Sequence, residues 1–224
     1  MTRYPSLETP GGLLRSLDYL GTASFAMGGA VSASLHGMEL PGAIIIGIIA
    51  AMGGGTTRDI LLGQTPVFWI KEAEYLGICV GTAVATFLLW PVLRTMSLFS
   101  TTGSGLIDGP LFRWLDTIGL GAFSVVGSQH GIRNGFHPLM TIALTTITCS
   151  GGGIIRDVLT NVPVKVLQGH AELYITTAAA GSAFYLMARR HWSDPLVRLG
   201  VGFLSTVMLR FCSWTYGLSL SSLK

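Results

Sequence analysis

The chain has 224 residues, of which half are hydrophobic and 11% charged, against ~25% charged in an average soluble domain. Its apolar residues fall in long blocks rather than one-sided stripes, which excludes an ordinary soluble globule. The formal charge of +3 comes without a Lys/Arg cluster, which excludes a nucleic-acid-binding face.

The opening stretch MTRYPSLETPGGLLRSLDYLG is not ordered as a cleavable signal, because Glu8, Pro10 and Asp18 interrupt any basic-then-apolar run and no small-residue cleavage site follows. It is expected to stay attached. A spanning helix needs about 20 mostly apolar residues. The windows that offer this are Leu17 to Leu35, Pro41 to Leu62, Glu74 to Leu93, Phe112 to His130, Pro138 to Leu159, Glu172 to Ala188 and Leu196 to Tyr216. The predicted fold is therefore an all-α integral membrane protein with seven transmembrane helices, a single membrane domain over 1–224.

An internal repeat organises those windows. Shifted by 98 positions, Leu17 to Leu62 aligns with Leu115 to Thr160 without a gap, and 14 of the 46 pairs are identical. The matches include Asp18 with Asp116, Gly21 with Gly119, Phe25 with Phe123, Gly29 with Gly127 and Gly37 with Gly135. This gives a first three-helix repeat over 17–93, a connector over 94–111 around Gly103, a second over 112–188, and a seventh helix over 196–216. Three spans are an odd number, so the second copy enters the membrane from the opposite side and the repeat is inverted. Inverted repeats whose glycine-interrupted helices occupy matching positions point to a midplane site in membrane transport proteins.

The repeated motif is GGGTTRDIL at Gly53 to Leu61 and GGGIIRDVL at Gly151 to Leu159. Each glycine costs about 1 kcal/mol of helix propensity relative to alanine, so the triplets Gly53, Gly54, Gly55 and Gly151, Gly152, Gly153 are expected to open or kink helices 2 and 5. Freed backbone groups at that depth must face protein or a water-filled cavity. Arg58 and Arg156 follow their triplets by about 4.5 Å along the helix. Consecutive helical residues diverge by about 100°, so pairing of Arg58 with Asp59 is not expected; crossed pairs, Arg58 with Asp157 and Arg156 with Asp59, are. Intramembrane charges mark functional sites. The competing reading is structural: GGG allows two helices to approach, and Arg with Asp forms a buried clamp. The sign of a permeant ion stays open here, because half-helix N-termini favour anions whereas C-terminal carbonyls with Asp59 and Asp157 favour cations.

The remaining polar residues suggest smaller roles. Asp18 and Asp116 begin the first and fourth windows, where an acidic residue complements a helix N-terminus. Lys71, Glu72 and Glu74 read as an interfacial loop cluster, and His36, His130, His137, His170 and His191 fall near span ends. Arg210 either snorkels or joins the buried charges. Gly77 with Gly81, extended to Ala85, and Gly127 with Gly131 form small-residue faces suited to close packing within or between subunits. Cys79, Cys149 and Cys212 lack metal-ligand spacing, and neither a cofactor, a metal nor an enzyme is expected.

The doubled GGG-x-x-RD motif and the 3 + 3 + 1 layout, from Asp18 to about Tyr216, resemble the trimeric intracellular cation (TRIC) channels, specifically their small bacterial and archaeal relatives. The resemblance implies a homotrimer in membrane lipid, in the inner membrane of a prokaryote. Each subunit would enclose a pore beside the kinked second and fifth helices and conduct potassium and, less selectively, sodium. By motif, Gly53, Gly54, Gly55, Arg58, Asp59, Gly151, Gly152, Gly153, Arg156 and Asp157 take the kink and pore-lining positions. Thr56 and Thr57 become Ile154 and Ile155 in the second copy, so hydroxyls would line only the first half. Some bacterial relatives are linked to uptake of small solutes such as glycine, and a secondary transporter using the same midplane site is the alternative. Basic residues counted as lying outside the membrane number seven on the N-terminal side, including Arg133, Arg189, Arg190 and Arg198, and four opposite. The positive-inside rule thus disagrees with the placement usual for animal TRIC channels, and orientation stays open.

Overall fold

The computed structural model describes residues 9–95, 100–101, 107–108, 110–167 and 173–217. The first eight residues, most of the 94–111 connector, His170 and Lys224 lie outside the described residues. The helices are α1 (Pro10–Leu35), α2 (Leu40–Leu61), α3 (Phe68–Lys71), α4 (Glu74–Thr95), α5 (Pro110–Arg133), α6 (Pro138–Leu159), α7 (Ile175–His191) and α8 (Pro195–Thr215). A two-residue antiparallel ladder pairs Ser100–Thr101 with Ile107–Asp108, the only strands among the described residues.

Sequence punctuation explains the boundaries. Proline opens α1, α5, α6 and α8, positions where its missing N–H has no helical partner to lose. At the other ends, Gly37 (φ +69°) closes α1 and Gly135 (φ +71°) closes α5, each through a paired bond that returns to the last turn. Met38 N–H donates to the Ala33 carbonyl at 3.0 Å, and Phe136 N–H to that of Gly131 at 3.0 Å. This is the Schellman termination that a left-handed residue permits. Helices α2 and α6 stop the same way at Gly63 (φ +63°) and Asn161 (φ +53°), so the 98-residue period extends past the motif into its stop signal.

Seven of these helices have 17 residues or more, one for each predicted window. Four of them, α2, α4 over Glu74–Val92, α6 and α8, are long and apolar enough to cross a membrane by length and composition alone. The others are weaker signals for visible reasons: α1 carries Arg15 and Asp18, α5 carries Arg113, Asp116 and Arg133, and α7 is short. Because α1 begins at Pro10 and α5 at Pro110, Asp18 and Asp116 sit well past the first turn, and neither caps a helix as expected.

The chain divides into two compact units. The first comprises Met1–Gly21, Leu120–Ser150 and Gly169–Lys224, the second Thr22–Gly119 and Gly151–Gln168. In the first, Leu14, Val125, Val126, Tyr185 and Leu199 form an apolar core, and a Cβ on Gly202 would lie 2.9 Å from that of Tyr185, which brings α7 and α8 together. Beside it runs a buried chain of hydroxyls. Ser124 meets Thr206 at 2.9 Å, Ser128 donates to Ser182 at 2.7 Å, and Ser182 reaches Thr145 at 3.4 Å. In hydrocarbon such groups need partners inside the protein, and these have them. Gly127 and Gly131 press on Thr145 and Thr141, so that small-residue face joins α5 to α6 within one chain.

In the second unit α2 packs on α4 around Ala30, Ala33, Ala43, Ile46 and Ala83. Gly29, the repeat partner of Gly127, would place a Cβ 2.7 Å from the Ile46 carbonyl oxygen. Gly77 and Gly81 instead face open space, so none of the described residues packs on these two α4 glycines.

Candidate functional site

Both arms of the repeated motif contribute to the second unit, and their glycines meet. A Cβ on Gly53 would lie 3.1 Å from the Gly152 Cα, and one on Gly151 would lie 3.1 Å from the Gly54 Cα. The two contacts exchange under the 98-residue shift. A third position is tighter still: a Cβ on Gly152 would overlap the Ala50 carbonyl oxygen. The helices themselves are not interrupted, since α2 and α6 are helical from end to end through their triplets. The expected opening of the ladder is therefore corrected. Two helices supply their own backbone hydrogen bonds while the missing side chains let their main chains touch, which is what small residues do between membrane helices.

The buried charges follow one turn later, and their pairing also departs from expectation. Arg58 Nε and Nη2 donate to Asp59 Oδ1 at 2.9 and 2.8 Å, and both residues are buried. Arg156 Nε and Nη2 approach Asp157 Oδ1 at 2.8 and 2.7 Å. Pairing is thus between neighbours rather than crossed. The 100° between Cα–Cβ directions is real, but the arginine stem is long enough to curl a planar guanidinium back onto the adjacent short carboxylate. Each pair is locally neutral, which lowers the cost of holding charge at this depth. Both arginines also stand in the last turn of their helices, where a cation complements the helix dipole.

What surrounds each pair differs. At the first, Asp59 Oδ2 accepts the Phe68 N–H at 2.8 Å and the Arg58 guanidinium lies 5.6 Å from the centre of the Phe68 ring. Trp69 Nε1 donates to Thr56 Oγ1 at 3.1 Å, and the Phe68 edge fills the space that a Cβ on Gly55 would need. The segment ending in α3 is thereby strapped across the first motif. At the second, Arg156 lies 5.9 Å from the ring centre of Phe112, on α5. Sliding Pro66 onto Pro163 places Lys165 opposite Phe68 and Val166 opposite Trp69, so the aromatic strap has no sequence counterpart there.

The hydroxyls Thr56 and Thr57 donate to the carbonyls of Met52 and Gly53, each at 2.8 Å. Arg210 belongs to the first unit, where it is buried with its guanidinium 4.8 Å from the Tyr174 ring centre; it does not snorkel. Phe68, Trp69 and Phe112 were not singled out from sequence. For Phe68 and Trp69 the signal available was an aromatic pair two residues after Pro66, itself just past a helix stop, near an arginine expected to be buried.

The chain is similar to known proteins over most of its length. A family model described as "Glycine transporter" matches residues 15–91 and 113–190, once for each copy of the repeat. The chain is 33% identical to a UPF0126 membrane protein of Vibrio cholerae, over 93% of this chain and 82% of that one. It is 31% identical to the UPF0126 inner membrane protein YadS of Escherichia coli, over 91% and 93%. Among solved structures, the TRIC trimeric intracellular cation channel orthologue from Rhodobacter sphaeroides superposes with a TM-score of 0.81 at 32% identity, over 92% of this chain and 99% of that one. A structure described in terms of conductance through TRIC cation channels gives 0.77 at 32% identity, over 92% and 95%.

Proposed function

The chain belongs to the glycine-transporter family of multi-pass membrane proteins, the prokaryotic branch of the trimeric intracellular cation channels, and from that membership we propose that it forms a channel for monovalent cations. The observation that carries the reading is the reciprocal contact of Gly53 with Gly152 and of Gly151 with Gly54, each triplet followed at once by a buried, neutral Arg–Asp pair. A reciprocity that exchanges under the repeat shift is what a pseudo-two-fold axis between inverted copies produces. In this reading all seven long helices span the membrane as an inverted 3 + 3 repeat plus one.

The pathway runs beside α2 and α6 within each subunit, and three subunits assemble in the inner membrane. The residues expected to shape it are Gly53, Gly54, Gly55, Arg58 and Asp59 with Gly151, Gly152, Gly153, Arg156 and Asp157. Continuity of α2 and α6 bears on the sign of the ion. An unbroken helix keeps its N–H and C=O groups paired with each other, so neither the half-helix N-termini that favour an anion nor the half-helix carbonyl ends that favour a cation are present, and the cation reading rests on the family.

Recording of the purified protein in planar bilayers under a KCl gradient tests this: the current should reverse near the potassium equilibrium potential. Reversal near that of chloride, or no unitary current, overturns it. The second reading, a small-solute transporter, is favoured by the match to the glycine-transporter model over both repeats. It requires saturable uptake of labelled glycine into proteoliposomes without unitary current.

A further inference from the structure

Three helices of the first unit meet at Tyr185 and each carries an arginine one turn further toward the same end. On α5, Gln129 donates to the Tyr185 hydroxyl and Arg133 follows four residues later. On α7, Arg189 stands four residues beyond Tyr185. On α8, which runs the other way, Arg198 precedes by four residues the Gly202 that packs on Tyr185. Four residues advance a helix by about 6 Å, so the three guanidinium stems start at one level.

No carboxylate among the described residues pairs with Arg133, Arg189 or Arg190. Asp194, the nearest acidic residue along the chain, caps α8 by accepting the Leu196 N–H at 2.9 Å. Arg198 is partly committed: its Nε and Nη2 donate to the carbonyls of Trp192 and Ser193, both at 2.8 Å, and so hold the α7–α8 turn. Trp192 is half exposed on that turn, the placement typical of an aromatic at the level of lipid headgroups. From the same end an apolar outer surface runs along both helices, with Met187 on α7 and Leu204 and Met208 on α8 more than half exposed.

We propose that Arg133 and Arg189, with Arg198 and Trp192 at the rim, bind the headgroup of one anionic phospholipid, whose acyl chains lie on the outer faces of α7 and α8. Basic pockets between membrane helices recognise acidic headgroups in this way, and guanidinium groups suit the phosphodiester oxygens by geometry. The adjoining apolar surface argues for a lipid rather than a soluble phosphate. The proposal is independent of which solute the protein conducts.

Native mass spectrometry of the full-length protein, with phosphatidylglycerol added at increasing mole fraction to neutral detergent micelles, tests it. Wild type should retain phosphatidylglycerol in preference to phosphatidylcholine. At roughly fivefold for each arginine at the membrane surface, the Arg133→Gln/Arg189→Gln variant should bind about 20- to 30-fold more weakly, and Arg133→Lys, which keeps the charge but not the planar fork, should lose less than Arg133→Gln. Arg198 is left intact because it holds the turn. Should the double variant fail to fold, Arg133→Gln alone carries the test, with about a fivefold loss expected. Equal retention of both lipids by wild type, or unchanged retention by a folded variant, overturns the site. Displacement of the lipid by millimolar glycerol phosphate would assign the pocket to a soluble anion and overturn it equally.

Discussion

A side chain of a single carbon on Gly53 would stand 3.1 Å from the Gly152 Cα, and the same addition on Gly151 would stand 3.1 Å from the Gly54 Cα. Two backbones touch here at a point that each half of the chain supplies in the same way. The glycines therefore act by what they omit, and substitution separates this role from their flexibility.

Gly152→Ala places its methyl against the Ala50 carbonyl and should destabilise the protein by about 1–3 kcal/mol, the ordinary range for overpacking. Gly77→Ala adds the same methyl where nothing lies within 4 Å and should be neutral or gain up to about 1 kcal/mol of helix propensity. Thermal unfolding of both variants in detergent measures the difference. Equal midpoints would refute the close-approach role.

Neighbour pairing makes a sharp energetic statement. Asp59→Asn leaves the Arg58 guanidinium buried without its counter-charge and should cost about 3–5 kcal/mol. Arg58→Met/Asp59→Asn should cost less than the sum of its single changes, with a coupling above about 0.5 kcal/mol. The crossed cycle, Arg58→Met with Asp157→Asn, should be additive within about 0.5 kcal/mol. Chemical unfolding of the three single and two double variants decides which cycle couples.

Among the described residues only the first motif carries a strap. Trp69→Phe removes the bond from the indole to Thr56 Oγ1, worth about 1 kcal/mol. It should raise amide exchange across residues 64–71 about fivefold while leaving 160–164 unchanged. Hydrogen–deuterium exchange resolved to peptides reports this directly, and under the proposed function the same variant should alter open probability in bilayer recordings.

The two stop signals differ by one residue. Gly63→Ala forces a β-carbon into the left-handed region and should cost about 1–2 kcal/mol. Asn161→Gly relieves that strain at the equivalent site and should be neutral or stabilising by a few tenths of a kcal/mol. Opposite signs in thermal unfolding are expected.

Much of this was legible because it is written twice. The period of 98 pairs Gly53 with Gly151 and Arg58 with Arg156 in the sequence itself, and each predicted window falls on one long helix. What escaped depends on reach and on neighbours distant in sequence. Helical spacing gives the direction in which Arg58 leaves the helix but not where a flexible stem ends, so the Arg58–Asp59 pair was missed. Propensity makes a triple glycine look like damage, yet Gly152 is held by the Ala50 carbonyl of another helix, which no local scale registers. Phe68 was passed over because a short helix after a proline has too little periodicity to announce itself.

The hydroxyls of the motif helices give their protons backward. In the second unit Thr56 and Thr57 donate to Met52 and Gly53. In the first, Thr145, Thr146, Thr148 and Ser150 on α6 each donate to the carbonyl four residues earlier. A hydroxyl fixed in that way has no proton left for a neighbour, so sideways it can only accept. Trp69, whose indole can only donate, meets Thr56 on those terms. Within each unit, then, these alcohols are left as acceptors only, which is the chemical sense of an ether.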